Sequence, residues 1–280
     1  MASLENVCPV TRVCDVLGQQ LLVRATSTAA FGVDVVVGVA LHNQSHSIRA
    51  CINSIYAQDM GNFGMGILIV NDGSNDDWLN QIMVLPSRCH LMIVEYRCGG
   101  AAATRNLALD IVDVAFPEVR WIARLDADDT FTSAHSLAAA CQLAVSTSAK
   151  FVLGGNRLRS GGHILEKINW ASEELLNPAH VLALLRRMAE DTAENELPSC
   201  NLLLASKSGW RYPYVQSAED HWLVAELLLR HSGKGAILMT QLYSDYTLEG
   251  SVTVANRRTS SFVDSRKSLY ATAVSWVTQR

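Results

Sequence analysis

The chain has 280 residues, 49% hydrophobic, 18% charged and 7% aromatic, which supplies a full core and excludes disorder as the main state. Gly and Pro are near average and no period of about 20–50 residues is visible, so collagen-like, solenoid and low-complexity chains are excluded as well. A formal charge of −4, with Lys and Arg scattered, gives no field for gripping a phosphate backbone, and nucleic acid is not expected as a partner.

The seven cysteines (Cys8, Cys14, Cys51, Cys89, Cys98, Cys141, Cys200) are odd in number, widely spaced and never arranged as C-x-x-C. They fit neither a disulfide framework nor a structural zinc site, and read as reduced core thiols of a cytoplasmic protein. The N-terminus lacks a basic segment followed by an apolar one. Apolar runs stop well short of the ~18 residues of a membrane span, since even Val33–Leu41 contains Asp34. No transmembrane segment is expected; peripheral membrane contact is left open.

In chain order, residues 1–32 carry no clear pattern and read as an N-terminal extension. Val35–Val39 is a continuous β-branched run, as in a parallel strand covered on both faces. A helix capped by Ser47 follows, with Ile48, Cys51, Ile52, Ile55 and Tyr56 on one stripe. Ile67–Val70 is a second strand ending in the turn cluster Asn71-Asp72-Gly73-Ser74, with a helix from about Asp77. Leu91–Glu95 is a third strand, Ala101–Val112 a helix, and Trp121–Leu125 a fourth strand ending in Asp126-Ala127-Asp128-Asp129.

Beyond it come a helix at Ala134–Val145, a strand at Phe151–Gly154, a turn at Gly161-Gly162 and a helix at Pro178–Met188. A strand at Leu202–Ala205 leads to an aromatic loop, a helix at Glu219–Arg230, a strand at Ala236–Thr240 and a closing helix at Ser260–Val277. Strands alternating with single helices predict an α/β fold with a mostly parallel sheet, whose ligands sit beyond the carboxyl ends of the strands. The polar residues fall at those ends: His42 and Asn43, Asp72, Gly99 and Gly100, and the Asp cluster. A division follows into a nucleotide-binding half (33–130), a half shaping the second substrate and the base (131–258), and a C-terminal helix (259–280).

If residues 126–128 are extended, Asp126 and Asp128 point the same way and ask for a cation, for which Mg²⁺ or Mn²⁺ suits the oxygen ligands. An isolated D-x-D is as often an acidic turn or cap. Glu219 and Asp220 open a helix, where the dipole alone favours carboxylates. As a general base, Asp220 needs positioning and some elevation of its pKa.

In this order the motifs resemble the family 2 inverting glycosyltransferases of GT-A fold, from about Val35 to Thr253. The resemblance rests on Val35–Asn43, Asn71-Asp72-Gly73-Ser74, Gly99–Asn106, Asp126-Ala127-Asp128 and Glu219-Asp220. It implies a single GT-A-like domain that moves one hexose-type sugar from a nucleotide-diphosphate donor, UDP being favoured, to an acceptor hydroxyl. Asp72 would bind the base, Asp126 the ribose or metal, and Asp128 the Mn²⁺ or Mg²⁺ that bridges the diphosphate. Asp220, beside Glu219, would be the base, with Ala40, His42, Asn43, Gly100 and Arg105 around the donor.

The chain departs from that pattern in two places. Ala40-Leu41-His42-Asn43 stands where the family usually has Pro-x-Tyr-Asn, so packing on the base falls to His42 or is lost, and Asn71 replaces the first Asp of the loop. The Gln-x-x-Arg-Trp signature of processive members is missing, which favours a single transfer.

Other signals weigh less. His42 and His46 straddle a strand end and lack the Glu of H-E-x-x-H. Gly61–Gly66 precedes a strand instead of following one, Ser232–Gly235 lacks the upstream Gly of a P-loop, and no G-x-S-x-G elbow exists. Arg105 reads equally as a surface stem with a solvated head or as a diphosphate contact. Arg257 and Arg258 read as a basic turn or, less readily, a lid; Trp170, Trp210 and Tyr214 read as packing residues before stacking platforms. A nucleotidyltransferase and a non-catalytic sugar-nucleotide-binding scaffold stand as alternatives. The acceptor, whether a glycan, a lipid-linked glycan or a small metabolite, is left open.

Overall fold

The computed structural model describes residues 22–25, 32–83, 89–160, 163–247 and 260–279. An eight-stranded sheet runs through the molecule in the order β1-β4-β3-β2-β5-β10-β7-β11. Its strands are β1 (Leu22–Ala25), β2 (Val35–Leu41), β3 (Met65–Asn71), β4 (His90–Glu95), β5 (Trp121–Asp126), β7 (Phe151–Gly154), β10 (Leu202–Ala205) and β11 (Gly235–Leu238). β4, β3, β2 and β5 are mutually parallel, as are β7 and β11; β1 and β10 run against their neighbours. The sheet continues without a break across residue 131, which makes one α/β domain.

Helices cover both faces: α1 (Ile48–Tyr56), α2 (Trp78–Met83), α3 (Ala101–Ala115), α4 (Ser136–Thr147), α5 (Pro178–Ala189), α6 (Glu219–Arg230) and α7 (Ser260–Thr278). The period of two sorts the strands between two cores. Val35, Val37, Val39, Ile67, Ile69 and Ala123 pack with residues of α1, α2 and α4, whereas Val36, Leu68, Val70, Met92 and Ile122 pack with those of α3, α6 and α7. Because both faces are covered, these strands carry unbroken apolar runs. A Cβ at Gly38 would crowd Ile122 of the neighbouring β5 at 3.2 Å, while the Ala108 methyl of α3 would lie at an ordinary contact distance of 3.8 Å.

A second sheet, β6-β12-β8-β9, uses β6 (Thr130–Phe131), β8 (Asn156–Ser160), β9 (His163–Asn169) and β12 (Ser244–Thr247). The sequence reading lacked these strands, and it lacked β1, which lies inside the segment read as a patternless extension. Ser47 caps α1 by position only: its hydroxyl donates to the Gln44 side chain at 3.0 Å. Asn177 does cap α5, accepting from the Ala179 amide at 3.0 Å with Pro178 at the first helical position. Cys51, Cys141 and Cys200 are buried free thiols, and Cys98 is half-buried and also free. Among the described residues no helix is long and apolar enough to cross a membrane. The Gly161-Gly162 turn, Arg257 and Arg258 lie outside the described residues.

Candidate active site

Strand order reverses between β2 and β5. The chain steps outward from β2 through β3 to β4, then returns to β5 on the other side of β2. The loops leaving the carboxyl ends of β2 and β5 therefore diverge and leave a crevice. There lies a cleft of about 1450 Å³ into which Ala40, His42, Asn43, Asp72, Gly100, Arg105, Asp126, Asp128, Glu219 and Asp220 all project. Five chain segments thus bring the donor, metal and base residues expected from the sequence to one place.

The loops after β2, β3 and β4 are knitted together. His42 Nδ1 donates to the Asp72 carbonyl at 2.7 Å, the Asn43 amide donates to the Ser74 hydroxyl at 2.9 Å, and Asn43 Oδ1 accepts from the Asn75 amide at 2.9 Å. Asn43 takes a left-handed φ of 53°, which asparagine tolerates better than most residues. The Asp72 carboxylate accepts from the backbone amides of Cys98 (2.6 Å), Gly99 (3.0 Å) and Gly100 (2.8 Å) and from the Thr104 hydroxyl (3.3 Å). Gly99 and Gly100, at φ of 83° and 140°, turn those amides toward it. Asp72 thus organises the loop that opens α3.

At the end of β5 the extended geometry expected for residues 126–128 does not form. The strand ends at Asp126, and the Asp129 amide bonds back to the Asp126 carbonyl at 2.9 Å across a tight turn. Both Asp126 oxygens are engaged by two guanidinium groups, Arg105 from α3 at 3.0 and 3.1 Å and Arg124 from β5 at 3.2 and 2.6 Å. Arg105 also pairs with Glu219, so its head is buried in a network instead of solvated. Arg124 reaches on to Asp220 at 3.4 Å and donates to the Ser199 carbonyl at 3.0 Å. Glu219, Arg105, Asp126, Arg124 and Asp220 form one alternating chain, floored by the Tyr212 ring 5.6 and 5.8 Å from the two guanidinium carbons.

The electrostatics follow from that chain. Burial alone would raise the Asp126 carboxyl, but Arg105 and Arg124 hold it below its ordinary value. The expectation of an elevated pKa for Asp220 is overturned. Against the desolvation that would raise it, His221, Arg124, Arg105 and the Ser199 hydroxyl hold it well below the carboxylate range. Asp128 is pushed up to about 6 by burial and by the Asp126 charge. Among the described residues no Lys, Arg or His forms an ion pair with Asp128. Asp129, raised by burial and by Asp128, ties β5 to the second sheet through the Thr247 amide at 2.9 Å.

The donor set fits a divalent ion held by one carboxylate. No group of three His, Cys, Asp or Glu converges among the described residues, but an ion of the Mg²⁺ kind needs only one or two carboxylates when a diphosphate and water complete its shell. Asp128, in the cleft and in no ion pair among the described residues, is the carboxylate that could hold it.

Sequence reasoning missed Arg124, Ser199 and Tyr212. Only Arg124 left a trace, as the one charge inside an apolar strand. Trp210 packs edge-on to Phe151 at 6.0 Å, Trp170 is exposed outside the cleft, and Tyr214, 79% exposed, stands at its rim.

The fold is that of a GT-A domain. The chain belongs to glycosyl transferase family 2, whose model matches residues 36–194, a stretch that ends before Glu219 and Asp220. No curated protein matches it significantly by sequence. Among solved structures it resembles residues 1–349 of Staphylococcus aureus TarS in complex with UDP-GlcNAc, with a TM-score of 0.60 and 18% identity. That match covers 79% of this chain and 60% of the TarS fragment. It also resembles glucosyl-3-phosphoglycerate synthase from Mycobacterium tuberculosis in complex with UDP, with a TM-score of 0.52, 13% identity, and coverage of 85% and 81%. At these identities the likeness is one of fold.

Proposed function

We propose that the protein is a cytoplasmic, inverting glycosyltransferase that moves a single hexose-type sugar from a UDP-sugar to an acceptor hydroxyl. The observation that carries this reading is the convergence of Asp72 and Asp128, from two loops, and Asp220, from the first turn of α6, on one cleft at the switch point of the sheet. The UDP-GlcNAc and UDP held by the two structural neighbours support the choice of nucleotide.

In this reading the loops around Asn43, Asp72 and Gly100 receive the nucleoside, and Asp128 would hold Mn²⁺ or Mg²⁺. The ion supplies positive charge where the leaving group develops negative charge. Asp220 accepts the proton of the attacking hydroxyl on the face of the sugar away from the departing UDP, and a single displacement inverts the anomeric centre. Arg124 and Ser199 keep its carboxylate ionised and fixed in direction, so the proton moves as the attacking oxygen gains positive charge and not before. Asp126 keeps both arginines in the wall of the cleft.

Calorimetric titration with UDP, GDP, CDP and dTDP, with and without Mn²⁺, tests the proposal. UDP binding that is strengthened by Mn²⁺ in the natural protein, and by far less in Asp128→Ala, is the expected result. Asp220→Asn should bind UDP yet lose sugar transfer by about 10²–10⁴-fold, the usual worth of a positioned base. Nucleotide binding indifferent to both the metal and Asp128 would refute the reading.

A further inference from the structure

One wall of the cleft is a face of the second sheet. Alternation along β8, β9 and β12 turns Asn156, Leu158, Leu165, Lys167, Asn169 and Tyr246 into the cleft. Arg157 and Asp245 fall on the opposite face and pair there at 2.8 Å. Asn156 is only 4% exposed, and its Oδ1 has no hydrogen-bond partner among the described residues. Buried amide oxygens are nearly always paired, so this one calls for a donor from outside the protein. His221, beside Asp220 and also lining the cleft, is 6% exposed with an equally unpartnered Nδ1.

This wall is tied to the base. Ser244, opposite Asn156 in register, donates to Asn201 Oδ1 at 2.5 Å, and Asn201 Nδ2 donates to the Gly154 carbonyl at 3.1 Å. Two residues before Asn201, the Ser199 hydroxyl donates to Asp220 at 2.9 Å. A ligand fixed by Asn156 is therefore held in a constant relation to Asp220.

We propose that this face is the acceptor subsite and that the acceptor is a glycoside, a reading that rests on the glycosyl transfer proposed above. Side-chain amides alternating with leucines and a tyrosine match a pyranose ring, with hydroxyls on its edge and C–H groups on its face. A hydroxyl supplies the donor that Asn156 Oδ1 lacks. A phosphate group only accepts and a lipid chain has no polar donor, so either would leave that oxygen unpaired, whereas Asn169 Oδ1 already accepts from the Glu196 amide at 3.2 Å.

The test is titration of the full chain, with UDP and Mn²⁺ present, by p-nitrophenyl glucosides, galactosides and N-acetylglucosaminides and by glycerol 3-phosphate. The expected result is binding of at least one glycoside, weakened about tenfold or more by Asn156→Ala and by Leu165→Asp, with UDP titrated into the same samples to report an intact nucleotide half. Leu165 lies on an edge strand, where the substitution is compatible with folding. If UDP binds but no glycoside does, if neither variant weakens the glycoside, or if glycerol 3-phosphate alone binds, the acceptor subsite is overturned while the transferase reading stands. If UDP itself does not bind the natural protein, the transferase reading fails and the acceptor subsite falls with it.

Discussion

Replacing Arg124 by Met tests whether the buried charge chain holds the active centre together. The Arg124 side chain is 7% exposed and the carboxylates it serves, Asp126 and Asp220, are 17% and 20% exposed, so solvent screening is weak. The substitution keeps the length and apolar bulk of the stem and deletes two bonds to Asp126, one to Asp220 and one to the Ser199 carbonyl. Arg105 still serves Asp126, but Asp220 loses its direct guanidinium contact. Removing one partner of a buried pair costs about 3–5 kcal/mol, because the remaining charge stays desolvated. At about 2–4 °C per kcal/mol for a domain of this size class, the melting temperature should fall by about 6–20 °C. Thermal and urea denaturation read the loss, and the double variant Arg124→Met with Asp126→Leu should recover part of it by removing the stranded charge. A loss of less than about 1 kcal/mol in the single variant, the range of an exposed ion pair, would refute the claim that these charges are buried and mutually dependent.

Two further outcomes follow from particular contacts. Gly73 has a φ of 64° and a Cβ there would lie 2.8 Å from Arg97 Cγ, whereas Gly61, at a φ of 56°, has open space around it. Both alanine variants should lose about 1–2 kcal/mol for the left-handed backbone. Gly73→Ala should lose more, and should also weaken UDP binding, since Arg97 and the loop after β3 line the cleft; equal losses in stability, with unchanged UDP affinity, would count against this. His90 is buried edge-on to Phe116 at 5.4 Å with neither ring nitrogen partnered among the described residues, and desolvation lowers its pKa from 6.5. The unfolded chain then takes up its proton first as pH falls. Its contribution is constant above about pH 7 and declines below about 6.5, by no more than about 1.4 kcal/mol per pH unit. Urea denaturation at pH 7.5 and 5.5 should show a smaller acid loss in His90→Met than in the natural protein; identical losses would sink this account.

The sequence by itself determined the parallel half of the molecule. Val35–Val39 and Ile67–Val70 are continuous apolar runs because both faces of those strands are covered, and such runs can be read without knowing what covers them. The acids at the strand ends were legible for the same reason: a polar cluster that stops a buried run marks the sheet's carboxyl edge. The second sheet was not, because Asn156–Ser160 has Leu158 as its one apolar residue in a short span and resembles a loop until β12 arrives from about 90 residues away to pair with it. Tertiary structure alone decided the chemistry around the acids. Asp126 is turned from a metal toward Arg105 and Arg124, and the Asp220 pKa is lowered instead of raised, by the adjacent His221 and by Arg124 and Ser199, 96 and 21 residues distant in the chain. Local pattern reports which groups stand at an edge; the charge each one keeps depends on what the folded chain packs against it, and that is set by sheet order.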